Sequence, residues 1–473
     1  MSPNPRSPPR SPRRRALAAA GEVPRAGSAA ARGGDPTSSA AHRLAFWTVG
    51  LLFLALPMIL DSAQKDAFRL PKALLGETLA LLSLFFLSFA WKGPQQWREL
   101  IRAPFVTVFG PFVALASLLS LLSPHVEHVH RGLLGLWICG LAIWGWSVGF
   151  SRLELRRALT WQLLPASLLA AIAILQFHGI YQPYSFAGIA ETSRFAIGSL
   201  AGNVGDLAAY LVLPAILAQA ELARGRHVGV AATALALCLY GLVVTQTFAA
   251  IVALAAGSAV LWTFRISRRR ALAAGAALVG TVVLLLAVAA PLRERTLAKV
   301  GEIARGDWNT VLTGRLDGWR AAAWMLRQHP VTGVGVGAYR TEFIQAKSAL
   351  VRSGVPFFEE QQNVVFANAH NELLEVAAET GWPGLAALAF GLVLLARRLL
   401  RWRGGRRPSP DDASAPAASA AVALAWAGLT AIAVLSLASF PFRIAIALWP
   451  ICLFLAWILS ADEPAAAGDG SGA

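Results

Sequence analysis

Residues 228–264 read VGVAATALALCLYGLVVTQTFAAIVALAAGSAVLWTF, a run without one charged side chain. About 20 apolar residues cross a hydrocarbon core as one helix, so this run is long enough for two. It divides at the polar Thr245-Gln246-Thr247 into spans at 228–245 and 247–264. Arg224 and Arg226 precede the pair, and Arg265 to Arg270 follow it. Arginine clusters at both ends of an apolar hairpin mark the side to which the chain returns.

The same pattern repeats along the chain. Further apolar runs lie at about 44–60, 73–91, 103–122, 132–150, 158–178, 204–222, 271–291, 383–399, 417–438 and 442–459. Composition agrees: 56% of residues are hydrophobic and 14% charged, against about 25% charged in soluble domains. The reading is an all-α polytopic membrane protein with about 12 transmembrane helices, which excludes an ordinary soluble enzyme. The net charge of +16 would suit nucleic acid if the basic residues formed one patch. They lie instead in short loops, so the bilayer is the expected partner and nucleic acid is not.

Those loops also set the orientation. With the N-terminus inside, 26 of the 42 Lys and Arg fall on inside segments and six on short outside loops. The other ten lie in one long polar loop, and long loops are exempt from the rule. Both termini are expected in the cytoplasm and the long loop in the periplasm. The organisation that follows is a disordered basic tail at 1–43, a membrane domain at 44–291, a periplasmic loop domain at 292–382, three more spans at 383–460 and a disordered tail at 461–473. Cys139, Cys238 and Cys452 each sit inside an apolar run without metal-ligand or disulfide spacing.

The long loop concentrates the polar chemistry. Leu316, Trp319, Ala323 and Leu326 fall at helical spacing and Pro330 ends the segment, which predicts an amphipathic helix. Arg315 and Arg320 stand near its start. Arginine suits phosphate because its planar fork donates two hydrogen bonds and stays charged; the same spacing is what a solvated helix face shows. Gly333-Val334-Gly335-Val336-Gly337 lacks the dinucleotide spacing and reads as tight turns. A second helix is expected from an Asn368 cap to Gly381 and Pro383. It would put His370, Leu373, Leu374 and Ala377 on an apolar face, with Glu372, Glu375 and Glu379 elsewhere. A helix N-terminus disfavours imidazolium, so His370 reads as a neutral ring able to accept a proton, or as a buried structural histidine. His125, His128 and His130 form H-x-x-H-x-H with only Glu127 beside them, and no metal site is expected there.

Three segments carry a resemblance. They are Gly314-Arg315-Leu316 through His329-Pro330-Val331-Thr332-Gly333, then Ala369-His370-Asn371-Glu372-Leu373-Leu374 to Gly381-Trp382-Pro383-Gly384, and Arg194 to Gly198 with Gly202-Asn203 and Leu207-Ala208-Ala209-Tyr210. Together with the spans they resemble the O-antigen ligase/polymerase superfamily of bacterial surface-polysaccharide enzymes. The resemblance implies a GT-C-type glycosyltransferase of the bacterial inner membrane. Its donor would be a glycan on undecaprenyl diphosphate, and its acceptor a hydroxyl of lipid A-core, a growing glycan or a protein. Neither a cofactor nor a metal is implied. Carried over by motif, His370 is the catalytic residue, and Arg315, Arg320, Arg194 and Asn371 bind substrate. Two departures stand out. Asn203-Val204-Gly205 replaces the family's Asn-Pro-Asn, and Thr245-Gln246-Thr247 replaces a Ser-Arg-Gly whose arginine is absent here. Ligase, repeat-unit polymerase and protein O-oligosaccharyltransferase differ by acceptor alone. A lipid-linked glycan transporter is the rival of another class. Transporters carry mid-span ionisable residues and internal repeats, and neither is evident.

Overall fold

The computed structural model describes residues 39–63, 66–91, 93–184, 194–225, 227–264, 290–358, 365–404 and 415–460. Among these there are helices and no strand. In chain order they are α1 (Ala40–Ala55), α2 (Arg69–Ala90), α3 (Pro94–Arg102), α4 (Pro104–Val108), α5 (Gly110–Leu121), α6 (His130–Gly149), α7 (Arg152–Trp161) and α8 (Leu163–Phe177). Then follow α9 (Val204–Ala223), α10 (Val228–Thr245), α11 (Phe248–Thr263), α12 (Ala290–Ala304), α13 (Trp308–Val311), α14 (Arg315–Gln328), α15 (Tyr339–Arg352), α16 (Glu372–Gly404), α17 (Ala415–Ser436) and α18 (Ala445–Leu459).

Eight helices are long and apolar enough to cross a membrane, or nine with one bent pair counted as a span. Two shorter apolar helices, α11 and α18, accompany them. The count of about 12 is therefore not reached among the described residues, and the span expected at 271–291 lies largely outside them. The run at 103–122 is not one straight helix. It bends by 70° between Gln96–Val108 and α5, where Gly110-Pro111 removes a backbone donor and weakens the helix. The α10–α11 hairpin divides where expected, with Gln246 in the left-handed region at φ 50°.

The bundle is built around α9, which packs on α7, α8, α10, α11, α17 and α18. Asn203 caps it, accepting from the amides of Gly205 and Asp206. An ion pair pins each end. Arg69 on α2 donates to both oxygens of Asp206 at 2.7 and 2.8 Å. At the other end Arg156 donates to Glu221 at 2.5 Å. Burying such a charge requires a close partner, and both carboxylates are nearly inaccessible.

Contacts between connections fall into two groups, one at each end of the bundle. At one end His42 pairs with Glu154, Arg152 lies over the Trp402 ring and Arg398 donates to the Ser460 carbonyl. At the other, Lys72 donates to the Leu200 carbonyl, Arg194 to the Gln246 carbonyl and Asn371 to the Leu437 carbonyl.

A second, smaller core holds α14, α15 and the start of α16. It contains Ala322, Met325, Val334, Tyr339, Phe343 and Phe366. The face that α14 buries is not the expected one. It comprises Asp317, Gly318, Ala321, Ala322 and Met325, small residues that let the helix approach Ala369 closely. Asp317 is tolerated there because Asn309 and the Phe358 amide donate to it.

Helix α16 also differs from expectation at its start. It begins at Glu372, with Asn371 and not Asn368 as the cap: the Asn371 Oδ1 accepts from the Leu374 amide at 3.1 Å. It breaks at Gly381, as expected, where φ is 64° and ψ −171°, and a second helical segment carrying Pro383 runs on from the kink to Gly404. Pro383 has no amide for the Glu379 carbonyl, and the Trp382 amide turns to the Pro330 carbonyl. The orphaned carbonyls are taken by the glycine-rich segment. Val334 donates to Ala378 and Gly335 to Glu379, both at 2.9 Å. Both carbonyls are thus answered, as burial demands, and the kinked pair of segments joins the small core to the bundle. Gly335, at φ 98°, leaves no room for a Cβ, which would lie 2.4 Å from Val129. Gly335→Ala is therefore expected to cost about 2 kcal/mol, seen as a lower thermal unfolding midpoint.

Candidate active site

His370 precedes α16 and is not on it. Its φ of 57° places it in the left-handed region, a rare conformation that clusters at functional sites. The expected stripe of His370 with Leu373, Leu374 and Ala377 does not form. The imidazole instead stands edge-on between Phe366 and Phe440, with centroids at 5.5 and 4.7 Å. Burial, then the charges of Arg315 and Arg69, push its pKa down to about 3. The ring is neutral at physiological pH, with a lone pair to offer.

Three arginines converge nearby. Arg315 begins α14 and Arg295 projects from α12. Arg194 comes from the turn before α9. Gln246, at the α10–α11 turn, sits between two of them: its carbonyl accepts from Arg194 at 3.2 Å and its Oε1 from Arg295 at 3.3 Å. None of the three forms a salt bridge among the described residues. Only Glu302 bears on Arg295, and the arginines otherwise feel one another. Burial and the repulsion of Arg295 and Arg315 lower Arg194 to about 10. The buried Nε atoms of Arg194 and Arg315 have no hydrogen-bond acceptor. Mutually repelling guanidiniums with free donors are an arrangement that a multiply charged anion would satisfy.

The other candidates lie differently. Arg320 donates to the Pro356 carbonyl at 2.9 Å and approaches Asp317 at 3.8 Å. Asn371 is committed to capping α16 and to the Leu437 carbonyl. Glu372, Glu375 and Glu379, expected away from the core, are all buried. Arg443, between α17 and α18, approaches Glu375 at 3.5 Å and Glu379 at 2.5 Å. Glu372 accepts from the Phe442 amide at 2.8 Å, and Glu375 accepts from the Ala369 amide and the Asn368 side chain. This network clamps the Phe440 loop against the backbone bearing His370. Removing one partner from a buried network leaves charge uncompensated, which costs about 3–5 kcal/mol. Arg443→Ala is expected to show that loss as a large drop in unfolding midpoint, and Arg443→Lys a smaller one.

Beside the clamp a cavity of about 940 Å³ opens between α2, α5, α6, α16, α17 and α18. Phe109, Phe112, Leu136, Leu392 and Trp426 give it apolar walls, while Arg69, Glu372 and Arg443 stand at its polar rim. An apolar chamber ending on charged groups suits an amphipathic ligand.

Residues 233–389 match the family model described as O-antigen ligase. That match supports the resemblance to the O-antigen ligase superfamily for this segment. No curated protein matches it. The ligase-family segment contains Gln246, Arg295, Arg315 and His370, whereas Arg194, Arg69 and Arg443 come from outside it. The matched family implies glycosyltransferase-like chemistry on lipid-linked glycans in a membrane. Sequence reasoning missed Arg295 and Arg69. Neither belongs to a recognisable motif, and only the fold brings them near His370.

Proposed function

We propose that the protein is a ligase-type membrane glycosyltransferase. It moves a glycan from undecaprenyl diphosphate to an acceptor hydroxyl, on lipid A-core or a similar glycan, at the periplasmic face of a bacterial inner membrane. The observation carrying this reading is the unpaired Arg194–Arg295–Arg315 cluster beside neutral His370. The acceptor oxygen attacks the anomeric carbon and its proton passes to the His370 imidazole. The bond from that carbon to the diphosphate oxygen breaks, and the electron pair leaves with the diphosphate. Negative charge grows on the leaving group, where preorganised cations are worth most. The apolar cavity takes lipid, and Arg69 links its rim to His370.

The low pKa of His370 gives a pH prediction. The free enzyme keeps the basic form well below pH 6.5, the ordinary histidine value. The acid limb of kcat/KM, which reports the free enzyme, should therefore lie nearer pH 3 than 6.5 as far as His370 sets it. An acid limb at 6.5 that vanishes in His370→Gln would contradict this.

A repeat-unit polymerase or a protein O-oligosaccharyltransferase would use the same donor site with another hydroxyl. Gene deletion, with complementation by wild type or His370→Ala, separates them. Unattached polymer on the lipid carrier identifies a ligase, and single repeat units on the carrier a polymerase. Unchanged surface glycan with His370→Ala would sink the assignment.

A further inference from the structure

The turn joining α5 to α6 holds a cluster that the proposed chemistry does not use. His125, Glu127 and His128 each offer one ligand atom, and these atoms lie within 4.8 Å of one another. Glu127 and His128 are open to solvent, their side chains 60% and 53% exposed. His125 is mostly covered, and its Nε2 meets the carboxylate of Glu342 at 2.5 Å. Glu342 lies on α15 with its side chain only 3% exposed. A buried carboxylate on one ring nitrogen fixes the tautomer and leaves the other nitrogen free. This is the outer support that metal-binding histidines almost always have.

We propose that His125, Glu127 and His128 bind one zinc ion, with Nδ1 of His125 as a ligand and Glu342 as its buried support. Two imidazoles and one carboxylate make a three-ligand set that zinc accepts, with water in the fourth position. Imidazole favours zinc, copper or nickel, whereas calcium and magnesium take oxygen ligands. The Glu127–His128 contact at 2.9 Å opens to admit the ion between the two groups. His130 stays outside the set, its Nδ1 at 3.2 Å from the Glu127 carbonyl.

The consequence is mechanical. The α5–α6 turn already meets the helical subdomain through the Val336 amide, which donates to Ser120 at 3.0 Å, and through Gly132 packed on the Val336 backbone. Both α5 and α6 line the large cavity. Zinc on this turn, with Glu342 locked to His125, staples α15 to the two helices that wall the cavity. Binding to the folded state alone raises stability by mass action.

The test uses the full-length, tag-free protein in lipid nanodiscs, stripped with chelator and titrated with zinc chloride by calorimetry. One zinc per chain and a raised thermal unfolding midpoint are expected, with no such shift from magnesium or calcium. The double variant Glu127→Gln/His128→Ala should weaken zinc binding by about tenfold or more. Its metal-free midpoint should match the wild type, because both side chains are at the surface. Absence of saturable zinc binding by the wild type would overturn the proposal. So would a double variant that folds normally and binds zinc as the wild type does.

Discussion

His370→Ala lowers glycan transfer by about 10²–10⁴-fold, the range over which a positioned general base contributes, and leaves membrane insertion intact. The size follows from what the ring does. Held neutral between Phe366 and Phe440, it offers a lone pair to the acceptor hydroxyl. Water entering the vacated space is a poorer and less oriented base. A structural histidine would behave differently. Loss of its ring would appear first as lower stability, with activity per folded molecule preserved. Radiolabelled transfer, normalised to the folded fraction, separates the two outcomes. His370→Gln sharpens the test, because it keeps polarity and most of the volume without the basic nitrogen.

Arg315→Ala is expected to reduce transfer by about 10²–10³-fold, as when one preorganised donor is removed from a site of developing negative charge. The accompanying stability change should be small or favourable. Arg315 feels repulsion from Arg295, and Arg194 feels both. Deleting one guanidinium relieves its neighbours, and residues kept for function at a cost in stability behave this way. Arg295→Ala should show the same pattern, since only Glu302 offsets its charge. Lysine at position 315 should recover part of the activity. It restores charge but not the planar two-pronged donor. Donor KM and kcat measured beside unfolding midpoints check the pair. A fall in stability with unchanged transfer would make the cluster structural.

The contrast with Arg443 is instructive. Both groups of charge lie near His370, yet Arg443 is surrounded by carboxylates, whereas the cluster has Glu302 bearing on Arg295 alone. In sequence all of these are basic residues between the apolar runs or at their edges, and Arg443 and Arg69 count only toward the charge balance of the short outside loops. Their roles depend on partners far along the chain: Glu379 is 64 residues from Arg443, and Asp206 is 137 from Arg69. Helix-period reasoning sees only neighbours three and four apart. It found the apolar runs and the helix that starts near Arg315, and it named Arg194 and Arg315 as candidates that the proposed mechanism takes up.

It misjudged the start of α16 for a local reason. Asn stands at both 368 and 371, and propensity does not choose between two possible caps. Pro383 ordinarily ends a helix. The helix does break there, at Gly381; that the amides of Val334 and Gly335 replace the lost donors is visible only in three dimensions. The absent arginine at position 246 has a spatial counterpart. Gln246 holds Arg194 and Arg295 through its carbonyl and side chain, so cationic charge gathers around that turn from other elements.

The central claim is that this site breaks a sugar–diphosphate bond, and reconstitution tests it most directly. Purified protein in proteoliposomes is given glycan on undecaprenyl diphosphate and a lipid A-core acceptor, without nucleotide sugar. Free undecaprenyl diphosphate and glycosylated acceptor should form one for one with the wild type, and at least a hundredfold more slowly with His370→Ala. Movement of the intact lipid-linked glycan across the bilayer, with no glycosidic bond made in either protein, would contradict the account and point to a transporter.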